Sequence, residues 1–281
     1  MKSFIVCAAL TGIFSRCVCA EETLPKYVSM GSSYAAGPGI TPTSNAVEST
    51  CGRSTENYAH KLARRRNLAL TDVSCGGATT ADVLDKEQFG LKPQIEAVTA
   101  DTMLVTVTIG GNDLQYIGTM VAMACQQEPS IDAESRSRYC VTPARERTKE
   151  GVSLLKTNLF RIASQVNQQA PRSQLVFVSY LPVLPKSGTC SRLKLTSEEA
   201  DWLRWIIIQL NEITQSVAAD THSQFLNALE LGRSHDACAV DPWTNGFSVP
   251  KKNVALQPAP FHPNEAGMSA IATELDTMLT K

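Results

Sequence analysis

Four polar segments of the sequence carry the residue types that acyl transfer requires. Three of them contain glycine and follow apolar, strand-like runs: residues 31–34 (GSSY), 75–78 (CGGA) and 110–113 (GGND). The fourth, residues 261–263 (FHP), lies near the end of the chain. A serine hydroxyl can attack an acyl carbon, an imidazole can take its proton, and N–H groups can bind the oxyanion. The ordered set indicates this chemistry more strongly than any single segment does.

The sequence around these segments alternates between strand and helix patterns. Apolar, β-branched runs predict strands over residues 26–30, 68–73, 103–109, 174–181 and 225–229. Helices are predicted over residues 55–66, 80–84, 144–169, 197–219 and 264–279. This alternation predicts an α/β fold with a central, mainly parallel sheet. Ligands of such sheets bind outside the carboxyl ends of the strands, where the glycine-containing segments lie.

The composition is that of an ordinary globular protein and excludes several function classes. Of the 281 residues, 43% are apolar and 19% are charged. The 26 Lys and Arg against 27 Asp and Glu give a formal charge of −1. This balance argues against non-specific nucleic-acid binding and against a polybasic membrane anchor. No uncharged apolar run reaches about 18 residues, so we expect no stable insertion into a membrane.

Residues 1–20 have the pattern of a secretory signal peptide. Lys2 supplies a positive charge, residues 4–14 form an apolar run, and Ala20 suits the position before a cleavage site. A buried N-terminal helix is the alternative interpretation. Cleavage after Ala20 would leave residues 21–281, which we expect to form a single catalytic domain outside the cell.

The polar segments belong to longer blocks that resemble one known family. The blocks stand in order at residues 27–39 (YVSMGSSYAAGPG), 51–63 (CGRSTENYAHKLA), 74–83 (SCGGATTADV), 107–114 (VTIGGNDL) and 258–272 (PAPFHPNEAGMSAIA). Together they resemble the GDSL, or SGNH, serine hydrolases, in particular the secreted lipase/esterase branch typified by Streptomyces enzymes. The resemblance extends over nearly the whole mature chain.

This resemblance implies a fold and a set of site residues. The fold would be the three-layer SGNH-hydrolase (flavodoxin-like) fold, with a five-stranded sheet flanked by helices. Ser33 would be the nucleophile and His262 the general base. The backbone N–H groups of Ser33 and Gly77 and the side-chain amide of Asn112 would form the oxyanion hole. We expect no metal and no cofactor, and a monomer that acts on an ester substrate.

Six cysteines remain once the predicted signal peptide is removed. An even number in a secreted chain predicts three disulfides, and the absence of a CxxC pair argues against a zinc site. Spacing alone does not choose among the 15 possible pairings. The resemblance implies pairing in sequence order: Cys51–Cys75, Cys125–Cys140 and Cys190–Cys238. Residues 38–54 and 124–143 contain three of these cysteines and are predicted to be surface loops.

Two positions depart from the family pattern. Ser32 stands where the GDS motif has its aspartate, and Ala259 stands three residues before His262, where the triad acid would be. Because alanine has no carboxylate, we expect the backbone carbonyl of Ala259 to accept from Nδ1 of His262 and to fix the imidazole tautomer. Asp236 or Asp241, from the preceding loop, is the alternative orienting group.

The function expected from these features is that of a secreted serine esterase or lipase. It would cleave carboxylic esters through an acyl-enzyme intermediate, with a Ser–His dyad. One alternative is a carbohydrate O-deacetylase, which the same fold supports. Another is a catalytically inactive binding module, an interpretation to which the missing acid gives weight. The acyl length and the alcohol part of the substrate stay open.

Overall fold

Five parallel strands form the centre of the structure, a computed structural model that describes residues 23–41, 45–249 and 257–280. The strands are β1 (Lys26–Gly31), β2 (Ala69–Asp72), β3 (Thr102–Thr108), β4 (Gln174–Val178) and β5 (Gln224–Leu226). Their order in the sheet is β2-β1-β3-β4-β5, and every neighbouring pair is parallel. This is the flavodoxin-like order. The predicted fold class is therefore confirmed, with a sheet that is parallel throughout the described residues.

Helices connect the strands and cover the sheet. They are α1 (Ser33–Ala36), α2 (Ala46–Cys51), α3 (Tyr58–Arg66), α4 (Thr80–Leu84), the 3₁₀ helix Gln94–Ala97, α5 (Tyr116–Gln126), α6 (Ala133–Tyr139), α7 (Arg145–Gln169), α8 (Ser197–Asp220), α9 (Ala228–Leu231) and α10 (Glu265–Met278). All five helices predicted from the sequence are present, with ends shifted by at most a few residues. Within the described residues, no helix is both long and apolar enough to cross a membrane. The predicted signal peptide lies outside the described residues.

Two apolar layers enclose the sheet. Val28 and Val105 pack in one buried cluster with the apolar stripes of α7 and α8. Their strand neighbours Tyr27 and Leu104 pack in a second cluster with α3 and α10. Successive strand residues point to opposite faces, so strands covered on both sides must be apolar throughout. The result is a three-layer sandwich that holds the strand ends in fixed relative positions.

The two predicted loop segments contain helices. α2 lies within residues 38–54, where Asn45 accepts from the N–H of Glu48 and caps the helix. α6 lies within residues 124–143, and α5, which has no counterpart among the predicted helices, extends into the same segment. α5 is buried on most of its surface. Its apolar residues therefore cover most of the helix surface, and this pattern predicts a surface helix less clearly than a single apolar stripe does.

Three disulfides join segments of the described chain. The pairs Cys51–Cys75, Cys125–Cys140 and Cys190–Cys238 have Cα–Cα distances of 4.3, 5.4 and 5.9 Å. The pairing in sequence order is thus the one that the structure shows. By chain entropy, each closed loop stabilises the fold by roughly 3–4 kcal/mol. The first pair ties α2 to the turn that follows β2.

Candidate active site

The turn after β1 presents Ser33 at the carboxyl edge of the sheet. β1 ends at Gly31, and Ser33 is the first residue of α1. Gly31 has a φ of 143°, and a Cβ at this position would overlap the carbonyl oxygen of Thr108 in β3. Only glycine allows this close approach. The N–H of Ser32 then donates to the same carbonyl at 2.9 Å, which anchors the turn.

His262 lies beside Ser33, although 229 residues separate them in sequence. Nε2 of His262 is 2.8 Å from Oγ of Ser33, and Nδ1 is 2.8 Å from the carbonyl oxygen of Pro260. A carbonyl can only accept, so Nδ1 carries the proton and Nε2 is the acceptor for the serine hydroxyl. This is the tautomer that a general base needs.

The carbonyl that orients the imidazole corrects our expectation. We expected the carbonyl of Ala259, but this oxygen accepts from Nδ2 of Asn245 at 3.0 Å and from the backbone N–H of His262 at 3.3 Å. The carbonyl at Nδ1 is that of Pro260. The expectation came from the position of the family's carboxylate, whose side chain adds reach. A backbone carbonyl has no such reach and must come from closer in the chain.

The backbone of Phe261 turns the chain so that this contact is possible. Phe261 has a φ of 62°, in the left-handed region that non-glycine residues rarely adopt. Its carbonyl accepts from Oη of Tyr34 at 2.6 Å, and its side chain is fully buried. The ring of Tyr34 is also 5.4 Å from that of His262, measured between centroids. Tyr34, the neighbour of Ser33, therefore holds the segment that carries the base.

A second set of contacts holds the other side of this segment. The N–H of Asn245 donates to the carbonyl of His262 at 2.9 Å. Asn264 caps α10 by accepting from the N–H of Gly267, and its own N–H donates to the carbonyl of Trp243 at 2.9 Å. These bonds fix the backbone on both sides of the imidazole to the segment that contains Trp243 and Asn245.

Neither aspartate that we considered as an alternative acid reaches the imidazole. Asp236 is buried, and its Oδ1 accepts from the N–H of Cys238 at 2.8 Å. Asp241 uses its backbone carbonyl to accept from Nδ1 of His235 at 2.8 Å. Among the described residues, no carboxylate forms a hydrogen bond or ion pair with His262. The imidazole is therefore oriented by a neutral group.

The predicted oxyanion donors are available to a ligand. Within the described residues, the backbone N–H groups of Ser33 and Gly77 donate to no protein acceptor. Asn112 donates from Nδ2 to the carbonyl of Ala78 at 2.8 Å. A side-chain amide has two N–H donors, so a second one remains. Gly77 has a φ of 81°, which glycine adopts without strain.

Tyr180 is a site residue that the sequence analysis missed. Its Oη is 2.9 Å from Oγ of Ser32 and accepts from the N–H of Gly111 at 3.0 Å. Burial raises the pKa of Tyr180 well above its ordinary value, so it stays a neutral phenol. The tyrosine and Ser32 thereby connect the first and third glycine-containing segments. The signal that could have identified it is its position two residues after β4.

Asp113 braces the same edge of the sheet. Its carboxylate accepts from the backbone N–H and the hydroxyl of Thr80, at the start of α4. Asn158 of α7 donates to the same hydroxyl at 2.8 Å. Burial raises the pKa of the Asp113 carboxyl above its usual value, although the bonds from Thr80 counteract part of this effect. Asp113 therefore fixes the turn that carries Asn112.

The environment of His262 favours the uncharged imidazole. Burial lowers its pKa below the ordinary value, and the bond to the Pro260 carbonyl counteracts this in part. A neutral imidazole at pH 7 is the form that accepts a proton. Within the described residues, no cluster of three or more His, Cys, Asp or Glu is placed to bind a metal ion.

Comparison with known proteins agrees with the fold. The model of the GDSL-like Lipase/Acylhydrolase family matches residues 29–270. The chain belongs to this family. Its relatives are lipases and esterases, and the protein is a carboxylic ester hydrolase.

Individual relatives of this hydrolase come from Streptomyces. Lipase 2 of Streptomyces coelicolor is 30% identical over 88% of this chain and 83% of its own. The crystal structure of phospholipase A1 from Streptomyces albidoflavus NA297 matches with a TM-score of 0.71 and 27% identity, over 91% of this chain and 99% of that one. An extracellular lipase from Streptomyces rimosus matches with a TM-score of 0.70 and 25% identity, over 90% and 99%.

Removing either aspartate charge tests the absence of a triad acid. We expect Asp236→Asn and Asp241→Asn to leave kcat close to that of the wild type, because neither carboxylate contacts His262. Asparagine retains the Oδ1 acceptor that the N–H of Cys238 needs. The measurement is kcat on a p-nitrophenyl ester, with Ser33→Ala as the background. A loss on the order of 10⁴ in a folded variant, as in serine-protease triads without their aspartate, would show that an acid serves the imidazole.

The lowered pKa of His262 predicts the position of the acid limb of the pH profile. Activity requires the neutral imidazole, so kcat/KM should fall as pH decreases through the pKa of His262. Because burial lowers this pKa, the midpoint should lie below about 6.5, the ordinary value for histidine. The check is kcat/KM against pH, with circular dichroism to establish that the protein stays folded. A midpoint clearly above this value would contradict the assignment.

Proposed function

We propose that the protein is a secreted serine esterase or lipase that works through a Ser33–His262 dyad and an acyl-enzyme intermediate. The observation that carries this proposal is the hydrogen-bonded chain from Oγ of Ser33 through His262 to the carbonyl of Pro260, with 2.8 Å at each step. It lies at the carboxyl edge of the sheet, beside the N–H donors of Ser33 and Gly77.

Acylation begins with attack on the ester carbon. Oγ of Ser33 bonds to this carbon while Nε2 of His262 takes the hydroxyl proton. The electron pair of the carbonyl moves to its oxygen, and the N–H groups of Ser33, Gly77 and Asn112 bind the resulting oxyanion. The oxyanion then re-forms the carbonyl, the bond to the alcohol oxygen breaks, and His262 returns the proton to the leaving alcohol. The acyl group is left on Ser33.

Deacylation repeats these steps with water as the nucleophile. Nε2 of His262 takes a proton from water as the water oxygen bonds to the acyl carbon. The second tetrahedral intermediate is held by the same donors. When it collapses, Ser33 leaves as the alcohol with the proton from His262, and the carboxylic acid is released.

A dyad of this kind relies on dipoles in place of a carboxylate charge. The imidazolium that forms in each transition state is stabilised at Nδ1 by the carbonyl dipole of Pro260. A neutral acceptor stabilises a cation less than a carboxylate does. The oxyanion donors therefore supply a larger share of the transition-state stabilisation in this enzyme.

Three observations support secretion and a single domain. Residues 1–20 have the pattern of a signal peptide, and six cysteines pair in three disulfides, which persist in oxidising compartments. One structural relative is described as an extracellular lipase. We propose that residues 21–281 act as one catalytic domain. Nucleophile and base come from the same chain, so a monomer suffices for catalysis.

The substrate class is tested by a chain-length series of p-nitrophenyl esters. We expect kcat/KM to rise from the acetate to medium-chain esters, since the similar proteins are lipases and a phospholipase. Rates measured with Ser33→Ala give the background for each ester. A sharp optimum at the acetate, together with release of acetate from acetylated oligosaccharides, would favour the O-deacetylase alternative.

Two variants test the nucleophile and the oxyanion hole. Ser33→Ala should abolish esterase activity and labelling by a serine-directed phosphonate, without loss of the fold. Asn112→Ala should lower kcat by about 10²–10³, the usual effect of removing one oxyanion donor. Active-site titration and steady-state kinetics measure both. Failure of the wild-type protein to react with the phosphonate would favour the inactive binding module, and a change in KM alone for Asn112→Ala would show substrate binding only.

A further inference from the structure

The peptide between Gly76 and Gly77 carries one of the proposed oxyanion donors and needs a restraint. Its N–H is that of Gly77, and its C=O is that of Gly76. A glycine on each side leaves the peptide plane free to rotate at low energetic cost. Rotation of the plane would turn the N–H away from the oxyanion while leaving the rest of the chain in place.

Bonds at the ends of this turn do not restrain that rotation. The N–H of Gly76 donates to the carbonyl of Cys51 at 2.8 Å, and the N–H of Ala78 donates to the carbonyl of Cys75 at 3.1 Å. Both act on the neighbouring peptide planes. The plane between Gly76 and Gly77 must be held through its own carbonyl, because its N–H is the proposed oxyanion donor.

Gln88 provides that hold. Its Nε2 donates to the carbonyl of Gly76 at 2.9 Å. Within the described residues, this carbonyl accepts from no other donor. The C=O and N–H of a trans peptide are fixed in one plane and point in opposite directions. A donor bound to the carbonyl of Gly76 therefore fixes the direction of the N–H of Gly77.

A tight hairpin fixes Gln88 in turn. The N–H of Gln88 donates to the carbonyl of Leu91 at 3.0 Å, and the N–H of Leu91 donates back at 2.9 Å. Phe89 and Gly90, between them, have φ values of 53° and 74°. Two central residues with positive φ are typical of the two-residue turn that closes β-hairpins. The backbone of Gln88 is thus held on both its polar groups.

The amide oxygen of Gln88 indicates that the bond from Nε2 to Gly76 is the reason for an amide at this position. Its Oε1 is buried and has no hydrogen-bond partner among the described residues. A buried acceptor without a partner destabilises the fold, and an apolar side chain of the same length would avoid this. The amide is explained if the bond from Nε2 to Gly76 serves catalysis.

We propose that Gln88 is a positioning residue of the oxyanion hole, which acts through the Gly76–Gly77 peptide. The inference rests on the proposed function, since it assumes that the N–H of Gly77 binds the oxyanion. Gln88 fixes the orientation of this N–H and polarises it, because hydrogen bonds in a chain strengthen one another. It does not touch the substrate. Its effect belongs to the transition state, where the oxyanion carries charge.

Gln88→Met and Gln88→Lys form a matched pair for the test. Methionine matches glutamine in length and has no donor, whereas lysine is one atom longer and ends in a donor. We expect Gln88→Met to lower kcat by roughly 10- to 100-fold, less than complete removal of an oxyanion donor, with little change in KM. Gln88→Lys should retain a clearly higher kcat than Gln88→Met. Affinity for an alkyl boronic acid, which forms a tetrahedral adduct on Ser33, should fall in parallel with kcat.

Phe89→Asn is the control for disturbance of the hairpin. It alters the neighbouring, exposed residue, suits a position with positive φ and leaves the Gln88 side chain in place. Its kinetics should match those of the wild type. The melting temperatures of all variants are recorded, and if Gln88→Met does not fold, Gln88→Leu replaces it.

The possible outcomes separate this inference from the proposed function. Wild-type kcat in Gln88→Met, equal kcat in the Met and Lys variants, or a loss of kcat shared by Phe89→Asn would overturn the positioning role. If Ser33→Ala is inactive in the same assay, the proposed function survives that result. If Ser33→Ala is as active as the wild type, the proposed function itself is wrong.

Discussion

The hydrogen bond between Ser33 and His262 depends on contacts throughout the rest of the structure. Its two atoms must be held 2.8 Å apart although they come from opposite ends of the chain. The parallel pairing of β1 with β3 fixes the position of the serine. α10 packs with α3 against the sheet and fixes the segment that precedes it. The bond from Tyr34 to Phe261 joins these two parts of the structure directly, since Tyr34 follows Ser33 and Phe261 precedes His262.

Replacement of a carboxylate by a backbone carbonyl changes the electrostatics of the site. A buried carboxylate next to the imidazole would raise its pKa, whereas at His262 burial dominates and lowers it. The imidazole is then neutral over a wider range of pH and is, in the proposed mechanism, a weaker base. What the site loses in stabilisation of the imidazolium must come from its donors. Fixed backbone N–H groups suit this role because they need no reorganisation during the reaction.

The network around Ser32 shows a related replacement. The family's aspartate is absent here, and Ser32 contacts the phenol of Tyr180, which also accepts from the N–H of Gly111. The hydroxyls of Ser32 and Tyr180, both neutral, connect the ends of β1 and β4. A buried carboxylate needs several donors to offset its desolvation, whereas a serine and a tyrosine can satisfy each other. Neutral hydrogen bonds therefore hold the turn at the position where the family has an aspartate.

Much of this protein could be predicted from its sequence because the signals are local. The apolar stripes of α7 and α8 and the β-branched run of β3 report burial directly, and the glycine-containing segments mark strand ends where ligands bind. The sequence and the family resemblance together predicted catalytic roles for four residues: Ser33, Gly77, Asn112 and His262. α5 was not predicted, because its apolar residues cover most of its surface and are less distinct than a single apolar stripe.

Other features were decided only by the tertiary structure. The choice of Pro260 over Ala259 depends on the left-handed conformation of Phe261, which is maintained by a tyrosine 227 residues away in sequence. The contact of Gln88 with Gly76 depends on a hairpin whose position no periodicity reports. The local sequence does not indicate the direction in which a backbone carbonyl or a side-chain amide points. Its direction is set by contacts between distant segments, so a single sequence names the groups that can do the chemistry while the packed fold selects which of them meet.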